Sequence, residues 1–159
     1  MTRHTDIEFW LFVPQKPLPA SEEIAQLMLQ LDPCFGLKTK GNLETIEDHI
    51  IDGQYIDEEG DVQLDVSWSM ETQDAAKAFK KDPNALKMIG SNKKMLCFLI
   101  EDECALGHVF AMMHALLSSM GGLLVIPEEG EHIILPQKQA LAFLQEEIEA
   151  DQEEWEDEE

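Results

Sequence analysis

The stretch MLCFLIEDECALGHVFAMMHALLSSMGGLLVI, residues 95–126, contains three segments with different apolar patterns. Residues 95–100 form a continuous apolar run, which is typical of a central strand buried on both faces. A helical stripe follows, which Asp102 or Glu101 is placed to cap, and a second apolar run occupies residues 123–126. The stripe consists of Leu106, Val109, Phe110, Met113, Leu116, Leu117 and Met120. The stretch predicts a strand, a buried helix and a second strand.

A membrane-spanning helix is the alternative for part of this stretch, because residues 104–127 carry no formal charge and are numerous enough to cross a bilayer. Histidines, serines and a glycine pair interrupt the segment, and it lacks flanking basic residues and an aromatic belt. We therefore interpret it as a core helix followed by a core strand.

The N-terminal quarter predicts a strand and a short helix. In residues 7–13, IEFWLFV, large apolar side chains alternate onto both faces, which indicates a strand covered on both sides. After three prolines, Ser21 is a plausible N-cap for a helix whose apolar stripe is Ile24, Leu27 and Leu31.

The middle of the chain predicts a hairpin and then a broken helix. Asp52-Gly53 and Glu58-Glu59-Gly60 are typical of turns, and residues 62–70 alternate between apolar and polar as in a half-buried strand. A helix is expected to start near Thr72, to be interrupted at Asp82-Pro83 and to stop at Gly90.

The C-terminal part predicts a second hairpin, turning at Glu128–Gly130, and a closing helix from Pro136. The element order strand, helix, strand, strand, helix then occurs twice, which suggests two similar halves. We expect one mixed α/β (α+β) domain at residues 1–150, with helices packed on a mainly antiparallel sheet, and an acidic C-terminal tail at 151–159.

Charge dominates the surface of this chain. Its 159 residues carry a formal net charge of −22, and 44% of them are apolar, so the composition is that of a folded acidic protein and not of a disordered polyanion. Ten acidic residues lie in the last fourteen, which leaves −12 on residues 1–145. Direct binding to nucleic acid or to an anionic membrane is disfavoured, whereas basic proteins would be attracted.

The three cysteines, Cys34, Cys97 and Cys104, form an odd number without C-x-x-C spacing, which indicates reduced thiols and a cytoplasmic protein. Acidic residues near the N-terminus disfavour a signal peptide. Cys97 lies in an apolar run that should raise its thiol pKa and make it a poor nucleophile.

Catalytic and cofactor-binding patterns are not found in the sequence. It contains no phosphate-binding loop, dinucleotide fingerprint, serine nucleophile motif or H-E-x-x-H motif. His108 and His114 are six residues apart on one helix and point in different directions, so they favour packing roles over a shared metal. We expect a protein without enzymatic activity, cofactor or metal.

The acidic run DEEGDVQLD, residues 57–65, offers carboxylates that could bind calcium. It lacks the twelve-residue EF-hand arrangement, so a solvated turn is the favoured interpretation.

The leading functional hypothesis is a protein that binds and neutralises a basic partner, as an immunity protein neutralises a toxin. The alternatives are a DNA mimic that occupies a nucleic-acid-binding protein, and an enzyme or metal-dependent protein with an unrecognised site. Exposed charge steers association and an aromatic side chain can anchor an interface. The expected partner-binding residues are Asp57, Glu58, Glu59, Asp61 and Asp65 on the hairpin, and Glu153, Glu154, Trp155 and Glu156 in the tail.

Overall fold

The computed structural model describes residues 7–45, 49–78, 81–127 and 133–157, and from residue 151 onward it describes the backbone alone. Within these ranges, seven strands form one sheet: β1 Ile7–Val13, β2 Phe35–Leu37, β3 Ile50–Ile56, β4 Val62–Asp74, β5 Lys94–Ile100, β6 Leu123–Ile126 and β7 Ile133–Pro136. The helices are α1 Ser21–Leu31, α2 Ala75–Ala78, α3 Pro83–Ile89, α4 Leu106–Met120 and α5 Gln137–Asp157. The mixed α+β class is confirmed.

The sheet is antiparallel throughout, in the order β2-β3-β4-β5-β1-β6-β7. The two strands expected to be buried on both faces, β1 and β5, pair with each other near its centre, with Phe9 opposite Phe98 and Leu11 opposite Leu96. Apolar side chains on both faces of these strands explain the central place, because each face can pack against another layer.

The main core lies between one face of the sheet and three helices. Phe9, Leu11, Leu96 and Phe98 point to this face and pack against buried residues of α1, α4 and α5. Helix α4 lies in the middle of the helical layer, next to both α1 and α5. Its buried positions run from Gly107 to Met113 and from Ala115 to Leu117, so it is covered on most of its circumference.

The opposite face of the sheet has a smaller apolar cluster. Phe12, Met95 and Val125 point to this face and pack with Ala75 of α2 and Ile89 of α3. These two short helices therefore cover the end of the face where β1 finishes and β5 begins.

A glycine pair joins α4 to β6. Gly121 and Gly122 both have positive φ, at 80° and 126°, and a Cβ at Gly122 would lie only 2.1 Å from the carbonyl oxygen of Phe12. Only glycine tolerates this close approach, which brings the chain directly from the helix end into pairing with β1. The residues 104–127 thus form a core helix and a strand, as expected. No helix in the described ranges has the length and apolarity needed to cross a membrane.

Two expectations for the middle of the chain are wrong. Residues 72–74 continue β4 instead of starting a helix, because they pair with β5 as far as Asp74 opposite Lys94. Asp52-Gly53 lies inside β3 instead of forming a turn, since Gly53 pairs with Leu37 on one side and Val66 on the other.

Two helix starts also differ from expectation. Ser21 is the first residue of α1 and Ala20 is its N-cap, without a capping side chain. The Ser21 hydroxyl instead accepts a hydrogen bond from the backbone N–H of Gly41 at 2.9 Å. Pro136 ends β7, so α5 begins one residue later, at Gln137. Asp102 caps the short 3-10 turn Glu103–Ala105 that precedes α4, by accepting from the backbone N–H of Cys104 at 3.0 Å.

The two halves are less alike than their element order suggests. An additional short strand, β2, follows α1, and two short helices close the first half where one long helix closes the second. In the sheet, β6 borders the central pair of β5 and β1, whereas β3 is separated from that pair by β4. The turn expected at Glu128–Gly130 lies outside the described residues.

Truncation after Ala150 should leave the fold intact. Helix α5 runs to Asp157, and the buried apolar side chains described along it are those of Ala140, Leu144 and Ile148. We expect the free energy of unfolding of a chain ending at Ala150 to change by less than about 1 kcal/mol. Urea unfolding of both chains measures this difference, and a loss of several kcal/mol would show that residues 151–159 belong to the core.

Candidate functional site

The expected acidic hairpin is the turn between β3 and β4. The backbone N–H of Asp57 donates to the carbonyl of Asp61 at 2.9 Å, and Gly60, with a φ of 89°, allows the chain to reverse. The Asp57 carboxylate accepts from the backbone N–H groups of Glu59 at 2.9 Å and Asp61 at 2.8 Å, and from Gln63 Nε2 at 2.7 Å. Asp57 therefore holds the turn together, while Glu58, Glu59 and Asp61 are exposed.

Asp65 lies on β4 opposite Gln54 and also faces solvent. Its Oδ1 accepts from Gln54 Nε2 at 3.1 Å and lies 3.6 Å from the ammonium of Lys38. Both members of this ion pair are more than half exposed, so the pair contributes little to stability.

A second acidic segment follows β5, on the side of the sheet towards the hairpin. After β5, the chain passes through Glu101, Asp102 and Glu103, all exposed, into the 3-10 turn that packs against β4. This segment adds three carboxylates to the five of the hairpin. Sequence reasoning missed it, because only the antiparallel pairing of β5 with β4 shows that β5 ends on the side of the sheet towards the hairpin. We call these eight residues the acidic end: Asp57, Glu58, Glu59, Asp61, Asp65, Glu101, Asp102 and Glu103.

Three of these residues come close enough to share a cation. One carboxylate oxygen each from Asp57, Glu59 and Asp61 lies within 4.8 Å of the other two. Calcium takes about six to eight oxygen ligands, and the Asp57 oxygens already accept three hydrogen bonds in the turn. The geometry is that of an Asp-stabilised turn, and we retain the interpretation of a solvated turn.

A buried histidine supports the strands that carry the hairpin. His108, in the first turn of α4, is fully buried, and its Nε2–H donates to the carbonyl oxygen of Gln54 at 2.9 Å. Its ring meets those of Phe35 and Tyr55 edge to face, at centroid distances of 5.0 and 4.3 Å. A Cβ at Gly53 would lie 2.8 Å from His108 Cδ2, so a glycine in β3 is what allows the imidazole to pack there.

The described residues offer no hydrogen-bond partner to two buried polar atoms here, one on His108 itself and one on Trp68. Among the described residues, neither His108 Nδ1 nor Trp68 Nε1 has a hydrogen-bond partner, and the two rings are 6.0 Å apart. Because Nε2 carries the proton, Nδ1 is the unprotonated nitrogen. Burial lowers the pKa of His108 from 6.5 to about 4, despite hydrogen bonds to backbone carbonyls that favour the charged form. The imidazole is therefore neutral at pH 7 and acts as a packing residue.

The other candidate reactive groups are dispersed. His114 is half-buried, with its pKa lowered by burial, and it borders a cleft of about 300 Å³ between α1 and α4. Burial, and then the negative charges of Glu8 and Glu71, raise the pKa of Cys97 to about 11, as its apolar surroundings predicted. In the described structure, none of the three cysteines, Cys34, Cys97 and Cys104, is joined in a disulfide.

The tail residues expected to bind a partner lie on the last part of α5. Glu153, Glu154, Trp155 and Glu156 continue the helix as far as the backbone is described. Their side chains lie outside the described part of the structure, so the anchoring role of Trp155 stays a prediction.

In comparisons with known proteins, no family model, curated protein or solved structure matches this chain.

Proposed function

We propose that this protein is a non-enzymatic, cytoplasmic binding module that neutralises a basic protein partner, as an immunity protein neutralises a toxin. The acidic end carries the proposal, because it gathers eight carboxylates from two separate chain segments on a folded body. Among the described ion pairs, the one between Lys38 and Asp65 brings a basic side chain to the acidic end. Such a predominantly acidic surface attracts basic proteins and repels polyphosphate.

The hydrogen bonds that organise the hairpin support the proposal. Asp57 fixes the turn, and the His108 contacts fix β3 against α4. A charged surface held in one conformation loses little conformational entropy on binding, which favours tight association.

Four of the hairpin acids can be neutralised without disturbing this turn. Glu58, Glu59, Asp61 and Asp65 are exposed, whereas Asp57 should be kept because its carboxylate accepts two backbone N–H bonds. Four other exposed carboxylates, on α1 and α5, give a control variant with the same change in net charge: Glu22, Glu23, Glu146 and Glu149.

Neutralising the four hairpin acids should slow association with a captured basic partner by about tenfold at low salt and flatten its salt dependence. Steering depends on charges close to the contact, since screening reduces their effect beyond about 8 Å at physiological ionic strength. The control variant should associate at close to the wild-type rate. Stopped-flow association rates across a salt series make the comparison, and equal rates for the two variants would contradict a role for the acidic end.

Affinity capture from the parent cell identifies the partner for this measurement. Elution of one basic protein between low and high salt is the result that the proposal predicts. Elution of several nucleic-acid-binding proteins would instead indicate DNA mimicry, and a stoichiometric metal or metabolite in the purified protein would indicate a small-molecule site.

A further inference from the structure

The sheet face opposite the main core carries a mixed apolar and acidic surface beyond the part that α2 and α3 cover. The strand register places Glu8, Leu99, Ser69 and Ile50 in one row across β1, β5, β4 and β3. The neighbouring row contains Trp10, Cys97 and Glu71. Residues directly opposite each other in adjacent strands share a face, so these side chains form one continuous surface.

Leu99 and Cys97 of β5 form its apolar centre, and the row through Leu99 ends at Glu8 on one side and, beyond Ser69, at Ile50 on the other. Ile50 is 42% exposed, and Leu99 and Cys97 are partly exposed. Glu8 and Glu71 border this centre and are exposed. We call the six residues Glu8, Ile50, Ser69, Glu71, Cys97 and Leu99 the sheet patch. Four neighbouring strands span about 14 Å at their usual spacing, which is wide enough to seat a helix or a hairpin.

The carboxylates of Glu8 and Glu71 are the charged groups of the patch. Glu8 and Glu71 both contribute to the raised pKa of the Cys97 thiol, which lies between them. On the next rows of the same face, Asp52 and Asp65 extend the acidic border towards the hairpin, and Lys38 pairs with Asp65 there. The exposed lysines Lys77 and Lys87 lie on α2 and α3, at the other end of the face.

We infer that the sheet patch is the surface on which the basic partner docks, with an apolar or aromatic side chain seated on Ile50 and Leu99 and with lysine or arginine side chains against Glu8 and Glu71. The inference rests on the proposed function and adds a location to it. Interfaces commonly combine an apolar centre with a polar rim, and arginine and aromatic residues are enriched in them. The acidic end would steer the partner, and the sheet patch would hold it.

A synthetic peptide of alternating lysine and tryptophan residues tests the location with the full chain. Titrated into isotope-labelled protein, it should shift the amide resonances of Glu8, Ile50, Glu71 and Leu99 in a saturable way. The double variant Ile50→Thr, Glu71→Gln should weaken peptide binding by about tenfold. The matched control Val62→Thr, Glu23→Gln alters a 49% exposed strand residue and an exposed acid elsewhere, and it should bind within about twofold of wild type. Unchanged melting temperatures show that both variants are folded.

The outcomes separate the two proposals. Equal affinity for both variants, or resonance shifts confined to Glu58–Asp61, would overturn the sheet patch as the docking surface and leave the acidic end as the binding site. An absence of binding at low salt would overturn both. A peptide with glycine in place of tryptophan should bind about tenfold more weakly, and equal affinity for it would also refute an apolar anchor.

Discussion

Replacing Phe98 by alanine should lower the free energy of unfolding by about 3–5 kcal/mol, which is the usual loss for a fully buried phenylalanine. Phe98 is 0% exposed and sits on β5 between Phe9 of β1 and Met70 of β4. Its ring points into the main core beneath the helices, so alanine loses the transfer free energy of the ring and leaves a cavity that its neighbours fill only in part. Leu96→Ala, on the same face, should cost about 2–5 kcal/mol.

Leu99→Ala is the matched control for this prediction. Leu99 is adjacent in the same strand but points to the opposite face, where it is only partly buried. We expect the free energy of unfolding to fall by about 1 kcal/mol, because the Leu99 side chain removes less apolar surface from water on folding than Phe98 does. Urea unfolding of the three variants at one pH measures the differences. A loss for Phe98→Ala no larger than that for Leu99→Ala would contradict the central place of β5.

The elements that the sequence predicts well are those with a strong local pattern. Residues 95–100 and 7–13 are apolar on both faces, and the stripe in residues 106–120 has helical spacing, so their strands and helix follow from side-chain periodicity. The exposed turn at Glu58–Gly60 is likewise encoded by residues that favour turns.

The elements that the sequence predicts wrongly depend on distant partners. Residues 72–74 have no strong strand pattern, and their pairing with β5 overrides local preference. Gly53 follows an aspartate, as glycines in turns often do, but it lies inside β3. His108, 55 positions further along the chain, packs against it. Ser21 has the chemistry of an N-cap, yet its hydroxyl bonds to Gly41. Long-range contacts of this kind leave no signal in one sequence.

Some residues of the candidate site could likewise be predicted from the sequence, and others could not. The five hairpin acids are contiguous in sequence and could be proposed from it. Glu101–Glu103 and the sheet patch require strand order and register, because Glu8, Ile50, Glu71 and Leu99 come from four strands far apart in the chain. Surface charge can therefore be read from composition, whereas its arrangement into a docking surface requires the sheet.

The buried imidazole of His108 should make stability depend strongly on pH between about 6.5 and 4. Burial lowers the pKa of this group from 6.5 to about 4, so the unfolded chain binds a proton at a higher pH than the folded one. The stabilising contribution is fully present above pH 6.5, decreases as the pH falls, and levels off near pH 4, where the folded state also becomes protonated. A shift of this size corresponds to about 3 kcal/mol.

His108→Gln isolates this contribution, since the glutamine amide keeps a donor that can reach the Gln54 carbonyl but does not titrate. Between pH 7.5 and 4.5, the stability advantage of wild type over the variant should shrink by about 2–3 kcal/mol. Contributions common to both proteins cancel in the difference. His114→Gln, at a half-buried position, should show a smaller change because its pKa is lowered by partial burial alone. Urea unfolding at several pH values provides the measurement. A constant difference between wild type and His108→Gln would mean that His108 is not buried as a neutral imidazole, and that the contact holding β3 against α4 is formed in another way.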